Sequence, residues 1–455
     1  MATGLRAQKL ALLLNMLETQ YPEKEDLIDK IKRSCKQHRE KLRDEGFISP
    51  GNHGVFQIHG LMAVSIVLDD DLSMENFEFC SSKISQMISS QFYEDGIHVE
   101  NSPEYHFLMI RVFEQILSSG WYENQETDEL WKRILEKGCL LVWPDGNIIE
   151  VGDSNPAKVS QDFYDGFMED YSKKISQNDQ YVIKKGRSNY ISYHSKDSGI
   201  TVIRSDFDVP PSKASMLFSL SAFKSRAHRH SDDLGFVLFE SGQVLVDCGK
   251  YAYGKSEGRD FALSTRAHNC LQIDGTDFSR ESRDFYDSAL SDITHQEWGT
   301  LIEIRKMWEN LDVIQKRIFA YSPGRFLFTI DLFSGNGERE FKQWFHFHER
   351  FNEEFHYGPD SVNSRDGDFK FSVEFFSSSE SNVDLSVNRG MVEPLSGWRS
   401  KSYNHMTEIN SVSSAMNGKE GFLAAFFVFD DKEREVQILE DGKGISVIVN
   451  HHDRS

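Results

Sequence analysis

Between His228 and His268 the chain gathers three imidazoles and several carboxylates. The segment His228-Arg229-His230-Ser231-Asp232-Asp233 carries two histidines at i, i+2, a spacing that puts both side chains on one face of an extended strand. Leu234 to Phe239 and Gln243 to Val246 then read as two strands joined at Ser241-Gly242, a hairpin turn, with Asp247 closing the second. His268 opens a further strand, Cys270 to Ile273, which ends at Asp274-Gly275. Two imidazoles and one carboxylate from three neighbouring strands suit a borderline cation such as zinc. His230, Asp247 and His268 are the expected ligands, and His228 is left beside them. Any one of these residues alone would read as an ordinary polar strand end. Their concentration between Ser225 and Asn269 is what argues for a site.

Two loop-to-helix junctions add chemistry. Pro50-Gly51-Asn52-His53-Gly54 precedes an apolar helix starting near Val55. A helix N-terminus presents N–H donors and the positive end of its dipole, and Asn52 and His53 would add an amide and an imidazole, a combination suited to a carboxylate or sulfate. The bland alternative is that Asn52 caps the helix. The second junction is Asp95-Gly96 followed by Glu100-Asn101-Ser102-Pro103-Glu104-Tyr105-His106. Ser102 as N-cap with Pro103 at the first helical position is a strong start signal, placing Tyr105 and His106 in the first turn. A tyrosine ionises near ~10 and serves as a base only where cations lower that value. Without such neighbours Tyr105 would be a tyrosine at the edge of a core.

The elements that must position these residues change character along the chain. Residues 5 to 145 show apolar stripes at helical spacing: Leu10, Leu13, Leu14 and Leu17; Leu27, Ile28 and Ile31; Cys80, Ile84, Met87 and Ile88; Val112, Phe113, Ile116 and Leu117; Leu130, Trp131, Ile134 and Leu135. From about Tyr181 the period becomes two. Strands are expected at Tyr190–Tyr193, Ile200–Arg204, Met216–Ala222, Leu301–Lys306, Val313–Ala320, Phe326–Leu332, Lys342–His348, Phe422–Phe429 and Ile445–Val449. Turns are expected at Ser322-Pro323-Gly324 and Gly335-Asn336-Gly337. The expected organisation is therefore a helical domain over 1–146, a polar connection over 147–180 and an antiparallel β-sandwich domain over 181–455 carrying the metal site.

With 455 residues the chain is long enough for two or three cores. Its net charge of −21 argues against nucleic acid as a partner, though a polyanion needs only a local cationic lining. No apolar run of membrane-spanning length occurs, so no membrane partner is expected. Met1 to Leu17 reads as an amphipathic helix rather than a signal peptide, because no small-x-small cleavage site follows. The expected compartment is the periplasm or the exterior if a leader has been removed, and otherwise the cytoplasm. Five scattered cysteines without a CxxC pair argue against a disulfide framework.

Taken together, Asn52-His53, the block Asp95-Gly96…Glu100-x-Ser102-Pro103-x-Tyr105-His106, and the block His228-x-His230-x-Asp232…Val246-Asp247-x-Gly249…Thr265-Arg266-Ala267-His268-Asn269 resemble the heparinase II/III-like polysaccharide lyases, a superfamily that also includes alginate and oligoalginate lyases. The resemblance spans Gly51 to Gly275, and the last block is its most specific part. It implies an incomplete (α/α) toroid followed by antiparallel β-sheets. Only two helices precede Asn52 where the resemblance implies several more, so the toroid is expected to be abbreviated or the chain trimmed. The implied reaction is β-elimination at a uronic acid. The sugar carboxylate must be neutralised to stabilise an enolate-like intermediate, a base must take the C5 proton, and an acid must protonate the departing O4. By resemblance, Asn52 and His53 neutralise the carboxylate, Tyr105 is the tyrosine acid/base, and His228 is the histidine of the β-domain. Tyr251 and Tyr253 are candidates for a second tyrosine, Arg266 and His106 for substrate binding, and His230, Asp247 and His268 for one structural zinc.

The expected partner is an acidic polysaccharide: a glycosaminoglycan such as heparan sulfate, hyaluronan or chondroitin first, alginate second, with room for a homodimer. Two other classes compete. A cupin-like metal oxygenase also uses H-x-H with a later His on strands, but it leaves the helical half and Tyr105 unexplained. A non-catalytic carbohydrate-binding protein on the same scaffold would have no need of Asn52, Tyr105 and His228 together.

Overall fold

A computed structural model describes residues 1–122, 124–159, 168–178, 180–185, 188–221, 228–279, 288–378, 383–430, 433–440 and 445–452. Ala222 and Ser225, each at the edge of an expected element, lie outside them. The chain divides into two compact units, Met1–Val99 with Tyr105–Gly138, and Glu100–Glu104 with Cys139–Ser455.

The first unit is helical: α1 (Ala2–Gln20), α2 (Glu25–Arg43), α3 (Asn52–Leu68), α4 (Ser73–Gln91), α5 (Pro103–Leu117, whose first two residues group with the second unit) and α6 (Gln125–Gly138). Helix α3 is apolar on nearly every side and buries ten residues, from Gly54 to Ser65, as a helix surrounded by neighbours must. Helices α1, α2 and α4 pack around it. Among the described residues no helix is long and apolar enough to cross a membrane.

The second unit is built on antiparallel sheets. The first sheet runs in chain order through β1 (Val182–Lys185), β2 (Ser188–His194), β3 (Ile200–Ser205), β4 (Ser215–Leu220), β5 (Phe236–Glu240) and β6 (Gln243–Leu245). Every residue of β3 to β6 is buried, so these four strands are covered on both faces. A larger sheet takes β7 (Leu271–Ile273), β8 (Ser288–Gln296), β9 (Gly299–Trp308), β10 (Val313–Ser322), β11 (Phe326–His346), β12 (Phe355–Tyr357), β13 (Ser361–Asp366), β14 (Phe369–Ser377), β15 (Asp384–Arg389) and the long Asn410–Val428 strand. Three small hairpins complete the set: β16 (Met391–Val392) with β17 (Leu395–Ser396), β18 (Trp398–Ser402) with β19 (His405–Glu408), and, after β20 (Asn410–Val428), β21 (Glu433–Glu440) with β22 (Ile445–His452). The two large sheets share one core, where Phe236 meets Phe319 edge to face at 5.0 Å and Leu217, Leu238, Phe345 and Phe427 fill in.

One expected turn is a strand. Gly335-Asn336-Gly337 suggests a break between two strands, yet β11, 21 residues long, runs through it. Its partner β20 continues alongside, and the ladder resumes after a bulge between Ser334 and Arg339. Two glycines and an asparagine suit a bulge as well as a turn, and the unbroken partner decides between them.

A polar network buried in the core anchors the site-bearing loops. Arg317 is wholly buried and binds Asp331 through Nε at 2.8 Å and a terminal nitrogen at 2.6 Å. Its remaining donors reach the carbonyls of Leu234 and Asn269 at 2.7 Å each. Gln315 and Gln343 donate to the same Asp331 carboxylate. With its bonds satisfied on all sides, this buried pair fixes two loops that no strand ladder holds.

Candidate active site and metal centre

The loop from His228 to Gly235 is irregular, which corrects the expectation of an extended strand. His228 and Leu234 have φ of +58° and +62°. The two imidazoles converge by another route: both reach the carboxylate of Asp153, His228 through Nδ1 at 2.8 Å and His230 through Nε2 at 2.9 Å. An ionised carboxylate only accepts, so these are the protonated nitrogens. Arg259 completes the cradle with donors at 2.5 and 3.1 Å from Asp153. Burial pushes the Asp153 carboxyl up, but hydrogen bonds from His228, His230 and Arg259 outweigh it and hold it well below the usual carboxylate range. The turn bearing Asp153 approaches closely because Gly152 has φ +57° and a Cβ there would meet the His228 carbonyl at 2.9 Å. The backbone N–H of Asp153 donates to that same carbonyl at 3.1 Å.

Neither Asp153 nor Arg259 was expected from the sequence. Asp153 lies in the polar 147–180 stretch, where apolar periodicity is weak, yet Ile148 to Ser154 are all buried. The available signal was Gly152-Asp153-Ser154, a turn residue beside a carboxylate, which is common in any loop.

With Asp153 at Nδ1, the other ring nitrogen of His228, Nε2, lies 3.6 Å from Glu100 Oε2. Burial raises the Glu100 carboxyl above its usual value, partly offset by His228. The segment leading to Tyr105 is pinned within the second unit. Ser102 pairs with the Ser154 hydroxyl at 2.9 Å, the Glu104 N–H donates to that hydroxyl at 3.1 Å, and Lys250 binds Glu104 at 2.6 Å.

His230 and His268 each keep one buried ring nitrogen, Nδ1 and Nε2 respectively, with no protein partner among the described residues. Both oxygens of buried Asp232 are likewise without one. Opposite its orphan nitrogen His268 bonds Asp247 at 2.7 Å, and Asp247 also accepts the Gly249 N–H at 3.1 Å. Burial raises the Asp232 carboxyl despite the pull of His268 and His230. Burial also opposes the charged forms of Asp247 and His268, but their mutual attraction wins, lowering the carboxyl and raising the imidazole. His230, Asp247 and His268 offer ligand atoms within 4.8 Å of one another, all buried. Buried polar atoms are ordinarily paired, so orphaned imidazole and carboxylate atoms in one pocket fit a metal ion. Asp153 behind His230 then has the place of a carboxylate orienting a ligating histidine.

The remaining expected residues divide. Tyr253 stands beside His228 with ring centroids 6.1 Å apart and is 49% exposed. Tyr251, at φ +56°, instead packs against Cys248, Phe261 and Ala262. Of the two tyrosine candidates the structure therefore brings Tyr253 to the site. Arg266 lies over Phe261 and lines a groove of about 860 Å³ with Glu257, Asp260, Lys342 and Trp344; His228, Asp153 and Tyr253 do not line it. In the first unit, Asn52 and exposed His53 begin α3, and Tyr105 is half-buried in the first turn of α5. Gly51, not Asn52, is the N-cap of α3, so the capping explanation of Asn52 falls away. His106 is corrected out of the substrate-binding set. It is 1% exposed, its Nδ1 accepts the His98 N–H at 3.3 Å, its Nε2 faces the Ile134 carbonyl at 3.1 Å, and burial pushes its pKa down to about 4.

Comparison with known proteins agrees with the helical part followed by antiparallel sheets. Residues 190–438 match the model of the heparinase II/III-like C-terminal domain, and residues 2–185 that of the heparinase II/III N-terminus. Among solved structures, a heparinase III is similar with a TM-score of 0.80 and 14% identity, over 99% of this chain and 72% of that one. Heparan sulfate lyase HepC from Pedobacter heparinus is similar with a TM-score of 0.77 and 16% identity, over 100% of this chain and 74% of that one. At these identities the likeness establishes the fold. A search of the curated proteins finds no match.

Proposed function

Because the chain belongs to the heparinase II/III-like family, we propose that it is a polysaccharide lyase that cleaves uronate-containing chains by β-elimination, with a glycosaminoglycan of the heparan sulfate kind as first substrate. The single observation behind this reading is the Asp153–His228 pair. A carboxylate fixed on Nδ1 sets the tautomer and stabilises the imidazolium formed when Nε2 accepts a proton. The fold alone would need no such pair beside a half-exposed tyrosine. The heparan sulfate lyase among the similar structures supports the choice of substrate class.

In the proposed reaction Asn52 and His53 bind the uronate carboxylate and favour its enolate-like form. Tyr105 and His228 are the acid and base, each able to serve the C5 proton of one uronate epimer while the other group or the same tyrosine protonates O4. Tyr253 lies against His228 and lends the second tyrosine. Arg259, Lys250 and their carboxylate partners hold the His228 side rigid rather than offering unspent charge to substrate. His230, Asp247 and His268 would hold one zinc ion, whose chemistry is to fix three protein segments in place when bound. Through Asp153, the same carboxylate that orients His230 orients His228.

The test is digestion of heparan sulfate, hyaluronan, chondroitin and alginate, followed by ultraviolet absorbance, since elimination leaves a conjugated unsaturated uronate. Absorbance rising on one or more of these supports the reading. A folded protein that releases reducing ends without that chromophore, or leaves every polymer intact, contradicts it.

A further inference from the structure

The aromatic edge of the site does not stop at Tyr253. Tyr403 lies next to it, with ring centroids 6.4 Å apart and an interplanar angle of 44°, and it is 55% exposed. His228, Tyr253 and Tyr403 are thus joined ring to ring through Tyr253, and the spacings, 6.1 and 6.4 Å, are comparable to the repeat of one sugar along an extended chain. Most large aromatic side chains of this unit are buried in its cores, so two adjacent tyrosines half in solvent, one of them beside His228, need a reason.

The position of Tyr403 is built. It occupies the first place of the two-residue turn between β18 and β19, followed by Asn404 at φ +58°. The Asn404 N–H donates to the Tyr251 carbonyl at 2.9 Å, and the Ser400 N–H donates to the Cys248 carbonyl at 2.7 Å. These bonds bind the hairpin to the loop that follows the metal-site residue Asp247. The contact is so close that a Cβ on Gly249, at φ +77°, would meet the Ser400 carbonyl at 2.5 Å. The hairpin tip is therefore fixed to the segment that carries Tyr253, and the pair keeps its spacing without help from the tyrosine rings.

We propose that Tyr403 is a substrate-positioning residue, stacking on the apolar face of a pyranose ring further along the chain than the sugar processed beside His228. An aromatic ring pairs a large apolar face with a polar tip at little entropic cost, which suits a ligand with C–H faces and hydroxyl edges. The ligand class is an oligosaccharide long enough to pass from His228 over Tyr253 to Tyr403. This inference rests on the lyase reading for its reaction, and on the ring geometry alone for its binding. Binding energy gained there acts on a part of the substrate that does not react, so it governs affinity for longer chains.

The experiment compares wild type, Tyr403→Ala and Tyr403→Trp on a length series of defined oligosaccharides from the best polymer, with kcat and KM from product absorbance and binding by calorimetry. Tyr403→Ala should raise KM for longer oligosaccharides roughly threefold to tenfold, the scale of an aromatic contact, with kcat within about twofold. The shortest cleaved oligosaccharide should be unaffected, and Tyr403→Trp should bind longer chains at least as well as wild type. Unchanged KM at every length, or the same rise at every length including the shortest, overturns the proposal while leaving the lyase reading in place. If wild type binds the longer oligosaccharides without cleaving them and Tyr403→Ala weakens that binding, the lyase reading falls and the stacking role stands. If wild type neither binds nor cleaves any of them, both fall. Should Tyr403→Ala fail to fold, Tyr403→Asn, a favoured turn residue, makes the same comparison.

Discussion

Asn269 carries no reacting group, yet its replacement tests how the metal-site strands are held. Its side-chain amide donates to the carbonyls of Phe236 at 2.7 Å and Val246 at 3.0 Å, and its oxygen accepts the His346 N–H at 2.7 Å. It therefore ties together the start of β5, the residue before Asp247 and the end of β11, directly after His268 in the chain. The residue is 1% exposed, so Asn269→Ala strands three backbone groups that water cannot reach. Each unsatisfied buried group costs about 1–3 kcal/mol, and partial relaxation puts the expected loss at about 3–5 kcal/mol, a large share of the roughly 5–15 kcal/mol typical of a folded protein. Asn269→Asp keeps the acceptor but turns a carboxylate toward two carbonyls, so at neutral pH it should destabilise at least as much as alanine. Guanidinium denaturation followed by near-ultraviolet circular dichroism measures both losses. A loss below about 1 kcal/mol for Asn269→Ala would refute the claim that these three bonds set the geometry.

Four further outcomes follow from the same geometry. Asp153→Asn removes the charge shared by His228, His230 and Arg259 and should lower kcat about 10- to 100-fold with KM little changed; unaltered turnover would remove Asp153 from its orienting role. Tyr105→Phe should fold and bind normally but cost on the order of 10²-fold in kcat, and near-wild-type turnover would exclude it as the acid or base. His230→Ala should lower zinc content and thermal midpoint together, whereas wild-type protein without stoichiometric transition metal by elemental analysis would contradict the metal assignment. Glu240 is buried against the hydroxyls of Ser215 and Tyr321 and the Gly324 N–H, and burial raises its pKa from 4.5 to about 7. A carboxyl raised on folding favours the native state below its unfolded value and loses that contribution as pH climbs through the folded one. Stability should therefore fall by about 3 kcal/mol between pH 4.5 and 7 from this group, and Glu240→Gln should flatten that part of the pH profile.

The legible parts of the molecule were those with strong local pattern. The stripe from Leu130 to Leu135 lies in α6, Pro103 starts α5, and Ser241-Gly242 turns between β5 and β6, because periodicity and turn chemistry act over a few residues. His230, Asp247 and His268 stood out by residue type, and they do come together. What remained hidden depends on distant partners. Gly335 to Gly337 continues a strand because β20 lies beside it. Asp153 is a site residue because its turn folds back on His228, far along the chain. His106 looked like a ligand-facing imidazole, but Ile134 and His98 enclose it.

The most direct measurement is to cleave the best polysaccharide in heavy-oxygen water and analyse the new chain ends by mass spectrometry and proton resonance. Elimination takes no oxygen from solvent, so, with the new reducing ends reduced by borohydride before their anomeric oxygen exchanges, the fragments should carry a C4–C5 double bond at the uronate end and no heavy oxygen. Heavy oxygen at the trapped reducing end together with a saturated uronate end would mean hydrolysis and would contradict a lyase built on Tyr105 and the Asp153–His228 pair.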